Sequence, residues 1–297
     1  MSNLKKFHGT GVAIVTPFKN HEVDFDGLIN VVNHVIDGGV EYLVVLGSTG
    51  EAATVNPREE RAILDKVIEV NAGRKPIVAG NFSGNNTIEN CRIIEKFDFT
   101  GIDALLVSSP AYIKPSQIGI YTHYMELAKA SPIPIIIYNV PGRTRSNMEW
   151  QTTVKLANDS DKFIGIKEAS GDLIQATRII KNKPPHFFVT SGDDEIAMAM
   201  VACGGDGVIS VMANVFPRHF SEMIRYALDS DFRTAHKVNL DLYDLHKWLY
   251  IEGNPVGIKA AMEIIEKCTK EVRLPLYPLS NENFASLKKE IKKIQNL

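Results

Sequence analysis

The feature that most constrains the fold is a series of eight short apolar, β-branched runs. Each run is continuous rather than alternating, which is typical of parallel strands buried on both faces. The runs occupy residues 11–18, 42–51, 75–81, 103–110, 133–141, 163–170, 187–194 and 206–214.

Helical patterns separate these runs. Residues 57–71 open with proline and acidic side chains and then carry an apolar stripe, and similar patterns cover 26–37, 116–130 and 195–204. Each apolar run, together with the segment that separates it from the next run, therefore has the length of one strand plus one helix. Eight such units predict an α/β fold, a (β/α)₈ TIM barrel. An open doubly wound sheet is the alternative, but no GxGxxG turn follows the first run.

The chain continues beyond the eighth run with helical patterns at 232–250 and 281–297. We expect residues 1–215 to supply the core strands and helices of the barrel. Residues 216–297 then form the last barrel helix and a C-terminal helical extension, in one continuous catalytic unit.

Composition narrows the class of partner. A net charge of −2 and a pI near 6.5 argue against a nucleic-acid or membrane-surface partner. The cysteines, Cys91, Cys203 and Cys268, are far apart and form no CxxC pair, which favours a reducing compartment. No signal peptide or membrane span is recognisable, so we expect a cytoplasmic protein.

Chemistry in a barrel gathers where the strands end, and one lysine there is unusual. In FIGIKEAS, residues 163–170, Lys167 continues an apolar run that heads into the core. Burial disfavours a charged amine, and a neutral amine can form a Schiff base with a ketone. An internal ion pair, with Glu168 or a neighbouring acid, is the alternative for Lys167.

Other strand ends carry groups that would suit such a lysine. Tyr138 ends the preceding run and could move protons with the Ser48 and Thr49 hydroxyls. It could equally be a rim aromatic. The planar guanidinium group of Arg143 can donate two parallel hydrogen bonds to a carboxylate. The alternative is an ordinary surface arginine.

A metal site is not expected. Asp193 and Asp194 immediately precede a helical pattern, where acids favour capping of the helix over metal binding. The histidines show no HxH or HExxH spacing.

Several segments together resemble the dihydrodipicolinate synthase and N-acetylneuraminate lyase family. GSTGEAAT, YNVPGRT, GIKEASGD, SGDD and GVISV occur in that family's order and spacing, from about Gly9 to the C-terminal helices. The resemblance implies a barrel aldolase that binds pyruvate as a Schiff base on Lys167. An aldolase of this kind needs neither a metal nor an organic cofactor.

The resemblance also assigns roles to the other strand-end residues. Tyr138 matches a tyrosine that relays protons and positions pyruvate. Ser48 and Thr49 match a hydroxyl pair, of which Thr49 contacts pyruvate. Tyr112 matches a tyrosine that reaches into a neighbouring subunit's site. The backbone positions that line the pyruvate pocket correspond to Gly192 and Ile209.

Arg143 distinguishes the members of the family. In the synthases an arginine after YNVP receives the carboxylate of aspartate semialdehyde, whereas the sialic-acid and sugar-acid lyases typically lack it. Ser48 departs from the Thr-Thr pair common in synthases and is frequent in the lyases.

Because Arg143 acts on the second substrate, the resemblance favours aldol condensation of pyruvate with L-aspartate 4-semialdehyde. The product is 4-hydroxy-tetrahydrodipicolinate, in the diaminopimelate route to lysine. A pyruvate-dependent lyase of sialic acid or a 2-keto-3-deoxy sugar acid is the alternative. A non-catalytic keto-acid-binding barrel is a remote one.

The resemblance further implies a homotetramer built from tight dimers, often inhibited by lysine at the dimer interface. Ala53, Asn85 and Glu89 match that inhibitory site. The chain departs from it where the family has two histidines and a tyrosine, at Pro57, Glu60 and Ala111. We therefore expect weak or altered lysine sensitivity.

Overall fold

The eight apolar runs form eight parallel strands that close into a barrel, which confirms the predicted fold class. This computed structural model describes residues 5–295. Each strand pairs with the next, and the eighth pairs with the first. The strands are β1 (Gly9–Ala13), β2 (Tyr42–Val45), β3 (Ile77–Ala79), β4 (Ala104–Ser108), β5 (Ile135–Asn139), β6 (Phe163–Glu168), β7 (Phe188–Ser191) and β8 (Gly207–Ser210).

The barrel interior is a packed apolar core. Phe7, from the 3-10 turn before β1, lies against Tyr42 edge-on and against Phe188 in a stacked geometry, with ring centroids 5.5 and 5.9 Å apart. Ile136 and Ile209 belong to the same buried cluster. The interior is therefore closed below the strand ends, and the polar strand-end side chains lie over an apolar floor.

Helices pack around the barrel and form a second, larger apolar core with the outer faces of the strands. They are α1 (Phe25–Asp37), α2 (Pro57–Asn71), α3 (Thr87–Lys96), α4 (Gln117–Ala130), α5 (Pro141–Thr144), α6 (Trp150–Asp159), α7 (Leu173–Asn182), α8 (Ala197–Ala202) and α9 (Pro217–Leu228). The predicted helix at 57–71 is confirmed. It starts with a capping box between Asn56 and Glu59 and has proline in its first turn.

Three further helices follow the barrel: α10 (Phe232–Tyr250), α11 (Val256–Ile264) and α12 (Asn281–Gln295). The helices predicted at 232–250 and 281–297 correspond to α10 and α12, although residues 296–297 lie outside the described range. No described helix is long and apolar enough to cross a membrane.

The prediction that Asp193 and Asp194 cap a helix is wrong. Helix α8 is shorter than the predicted 195–204, and its N-cap position is Ile196. Asp193 instead accepts a hydrogen bond from the Glu195 amide at 3.1 Å, within the turn. Buried Asp194 accepts from the Val211 and Met212 amides at 2.9 and 2.8 Å. Its carboxylate thus ties the loop after β7 to the loop after β8.

Candidate active site

Lys167 lies near the end of β6 and is 5% exposed. It stands in register with Tyr138 on β5 and with Thr190 on β7. Its Nζ is 4.5 Å from the centroid of the Tyr138 ring. Because neighbouring residues in register on adjacent strands point to the same side, the amine and the phenol ring share the barrel mouth.

The structure tests the alternative in which Lys167 is an ion-pair partner. Within residues 5–295, no carboxylate oxygen lies within 4.0 Å of Lys167 Nζ. Glu168 points to the other face of β6 and accepts from Asn139 Nδ2, Gln175 Nε2 and the Ser170 amide at 2.8–3.1 Å. Burial raises the pKa of the Glu168 carboxyl. Lys167 is therefore a buried amine without a described carboxylate partner.

The hydroxyl pair Ser48 and Thr49 lies in the turn that follows β2. Thr49 is buried, and Ser48 is half-buried and lines the cavity described below. Leu46 and Glu51, at the two ends of this turn, have φ angles of +59° and +54°. Non-glycine residues rarely adopt this left-handed conformation, so the surrounding contacts must hold the turn in place.

One of those contacts is a buried ion pair. Glu51 Oε1 lies 2.6 Å from Lys259 Nζ on α11, and neither side chain is exposed. Glu51 Oε2 accepts from the Arg273 amide at 3.1 Å. The Lys259 ammonium also lies 4.2 Å from the Phe18 ring centroid, in cation–π range. Sequence reasoning missed this pair.

Arg143 projects at the barrel mouth from the short helix α5, which follows β5 directly. It is exposed, and its Nη2 donates to the main-chain oxygen of Asn254 at 3.1 Å. A cavity of about 490 Å³ opens beside it. The cavity is lined by Ser48, Tyr138, Arg143 and Asn254 among others. The guanidinium thus stands where a carboxylate entering the cavity would meet it.

Gly192 and Ile209, the predicted pocket-lining positions, lie at the ends of β7 and β8. A side chain at Gly192 would stand 3.0 Å from Lys167 Cε and Cγ and 2.5 Å from Ala169 Cβ. Only glycine leaves Lys167 room there. Ile209 is fully buried and belongs to the interior cluster.

Tyr112 stands apart from the other predicted site residues. It is 86% exposed, in the loop between β4 and α4, and has a left-handed φ of +71°. Its amide donates to the Thr144 carbonyl at 3.1 Å, which fixes the loop against α5. Exposed Ile113 and Ile118 follow it. The role of Tyr112 in a neighbouring subunit's site stays a prediction.

Two positions of the expected inhibitory site, Ala53 and Glu60, line the same cavity. Glu60 accepts from Asn81 Nδ2 at 3.0 Å, and burial raises the pKa of the Glu60 carboxyl. Asn85 Oδ1 accepts from the Ala111 amide at 2.9 Å. No group of three or more metal-ligating side chains occurs in the described part of the chain.

Comparison with known proteins adds independent findings. Residues 6–294 match the family model described as the dihydrodipicolinate synthetase family. The 4-hydroxy-tetrahydrodipicolinate synthase of Cytophaga hutchinsonii is 45% identical over 280 residues, which are 94% of each chain. A Flavobacterium psychrophilum protein of the same name is also 45% identical, over 94% of this chain and 95% of its own.

Solved structures agree with these sequence relatives. The crystal structure of dihydrodipicolinate synthase from Aquifex aeolicus superimposes with a TM-score of 0.93 at 39% identity. The match covers 97% of this chain and 98% of that one.

Proposed function

The chain belongs to the dihydrodipicolinate synthetase family, and from that premise we propose a specific reaction for it. The enzyme condenses pyruvate with L-aspartate 4-semialdehyde to 4-hydroxy-tetrahydrodipicolinate, in the diaminopimelate route to lysine. A Schiff base on Lys167 carries the pyruvate. The enzyme is thus a lyase of the class I aldolase type and works without a metal or an organic cofactor.

The observation that carries this proposal is the setting of Lys167. Its amine is buried, lacks a described carboxylate partner and stands 4.5 Å from the centroid of the Tyr138 ring. Tyr138 and Arg143 line the same cavity. With no described carboxylate within 4.0 Å, the amine can act as a nucleophile toward the ketone of a bound keto acid. A purely structural lysine in the same molecule, Lys259, has its carboxylate at 2.6 Å.

The first half of the reaction builds a carbon nucleophile. The neutral Lys167 amine adds to the pyruvate ketone, and the carbinolamine loses water to give an imine. Loss of a methyl proton converts the imine into an enamine. Tyr138 and Thr49, with Ser48, move the protons of these steps.

The second half joins the two substrates. The enamine carbon attacks the aldehyde carbon of the semialdehyde, whose carboxylate is held by Arg143. The amino group of the bound chain then attacks the imine carbon, which closes the ring and releases Lys167. Tyr112 from a neighbouring subunit completes the proton relay. We therefore propose that the active enzyme is a tight dimer within a homotetramer. We also propose that it works in the cytoplasm.

Cleavage of a sialic acid or a 2-keto-3-deoxy sugar acid is the rival activity. Ser48 in the hydroxyl pair favours this cleavage. Arg143, which lines the cavity, and the similarity to relatives named as synthases argue against it. A non-catalytic keto-acid binder would have no need of the nucleophile together with a proton relay.

A coupled assay tests the proposed reaction. Pyruvate and L-aspartate semialdehyde are supplied with an excess of the reductase that consumes the product, and loss of NADPH is followed. We expect enzyme-dependent NADPH oxidation that requires both substrates. No oxidation, with the reductase shown to be active on authentic product, would contradict the proposal and favour a sugar-acid lyase.

A further inference from the structure

Asn254 connects two residues that the proposed reaction uses. It lies between α10 and α11 and lines the cavity beside Arg143. Its Nδ2 donates to Thr49 Oγ1 at 3.1 Å, and its main-chain oxygen accepts from Arg143 Nη2 at 3.1 Å. One residue therefore contacts a hydroxyl of the proton relay and the arginine assigned to the second substrate.

The segment that carries Asn254 is held firmly on both sides. A side chain at Gly257 would stand within 2.6 Å of the carbonyl groups of Trp248 and Leu249, so the start of α11 packs directly on the last turn of α10. Two residues further along, Lys259 forms the buried ion pair with Glu51. Glu51 follows Thr49 by two residues, so the ion pair and the Asn254 hydrogen bond join the same two segments.

The chemistry of the amide determines which group donates in the hydrogen bond between Asn254 and Thr49. An amide nitrogen can only donate, so Thr49 Oγ1 is an acceptor toward Asn254. The Thr49 proton must then point to another acceptor. Asn254 Oδ1 is buried and has no hydrogen-bond partner among residues 5–295, so the bond to Thr49 is the one that orients the side chain.

We propose that Asn254 is a positioning residue that, by donating to Thr49 Oγ1, directs the Thr49 proton into the relay around Lys167. This inference rests on the proposed function, because it assigns Thr49 to that relay. The side chain acts through Thr49, whereas the contact to Arg143 is made by the main chain. Side-chain substitutions should therefore affect proton transfer and leave binding of the second substrate almost unchanged.

Steady-state kinetics of Asn254→Ala separates these two effects. We expect kcat to fall about tenfold, as for the loss of one hydrogen bond. The KM for aspartate semialdehyde should stay within about twofold, because the carbonyl that holds Arg143 is retained. Asn254→Asp has nearly the same shape but accepts from Thr49, so its kcat should fall at least as far. Asn182→Ala, at an exposed asparagine on α7, is the matched control and should retain wild-type kinetics.

A double-mutant cycle tests whether Asn254 acts through Thr49. In a Thr49→Val background, Asn254→Ala should change kcat by less than about twofold, because the group it orients is gone. If the two effects multiply instead, or if both Asn254 variants keep wild-type kcat, the inference is overturned. Thermal unfolding of each variant identifies any loss of activity that comes from misfolding.

The formation of the pyruvate adduct distinguishes this inference from the proposed function. The rate at which borohydride traps pyruvate on the enzyme reports imine formation, in which the relay also acts. A wild-type enzyme that traps no pyruvate would refute the proposed function. A wild-type enzyme that traps it, with Asn254→Ala and Asn254→Asp trapping at the same rate, would refute only the role of Asn254.

Discussion

Lys167 and Lys259 are both buried lysines, and the groups beside each amine distinguish their roles. Lys259 has a carboxylate at 2.6 Å, and although burial lowers the pKa of its ammonium, the Glu51 charge opposes that shift. Lys167 Nζ instead lies 4.5 Å from the centroid of the Tyr138 ring, and Tyr138 lines the cavity. The same amino acid is therefore an internal counter-ion in one place and, we propose, a nucleophile in the other.

The proposed contact of Arg143 with the second substrate predicts the effect of replacing this single residue. Arg143→Leu should raise the KM for aspartate semialdehyde about 10- to 100-fold, because a hydrogen-bonded charge pair with its carboxylate is lost. Trapping of pyruvate by borohydride should be unaffected. Arg145→Leu, at an exposed arginine two residues away, is the control.

Equal effects of the Arg143 and Arg145 substitutions on KM would contradict the assignment. So would a loss of pyruvate trapping in Arg143→Leu, since that would place the arginine on the first substrate.

Sequence reasoning found one of these lysines and missed the other. Lys167 attracted notice as a cation within the apolar run of residues 163–170. Lys259 interrupts the apolar segment VGIKAAM in the same way, and the same argument could have identified it. Its partner Glu51 is 208 positions away, and no local pattern reports such a pairing.

At the scale of elements, the turn after β2 depends on α11. Glu51 holds a left-handed φ, and Lys259 is the cation that meets its buried carboxylate. Lys259→Met would leave that carboxylate buried without a counter-charge. We expect it to reduce the free energy of unfolding by about 3–5 kcal/mol.

Urea denaturation measures this loss. The double variant Glu51→Gln, Lys259→Met removes both charges and should recover part of the stability. Lys129→Met breaks an exposed pair with Glu126 and should cost less than about 1 kcal/mol. An equally small loss for Lys259→Met would show that the buried pair does not support the turn.

Elements were predictable where local chemistry defines them. The proline and the acidic side chains that open residues 57–71 marked the start of α2, and continuous β-branched runs marked the strands. Asp193 and Asp194 misled the prediction because acids suit helix starts in general. Here Asp194 bonds to amides of the next strand's loop, a contact that appears only once the barrel has closed.

At the scale of the whole molecule, Tyr112 is the feature that a single chain leaves unexplained. Its side chain is 86% exposed, beside exposed Ile113 and Ile118, on a loop fixed against α5. Because this large aromatic is held in a left-handed conformation at the surface, we propose that it acts in a neighbouring subunit's site.

Mixing two impaired variants tests the shared site. Tyr112→Phe and Lys167→Met should each have little activity, but a hybrid dimer contains one site with Lys167 from one subunit and Tyr112 from the other. After subunit exchange, an equal mixture should regain about a quarter of wild-type activity, since half the dimers are hybrids with one complete site. Activity no greater than the sum of the separate variants would contradict a shared site.

The central claim is that Lys167 carries pyruvate, and mass spectrometry of the trapped adduct tests it most directly. The enzyme is treated with pyruvate and borohydride, digested and mapped. We predict one reduced pyruvyl group per chain, on the peptide that contains Lys167, and none in Lys167→Met. An adduct on another lysine such as Lys259, or no adduct with folded enzyme, would contradict the account.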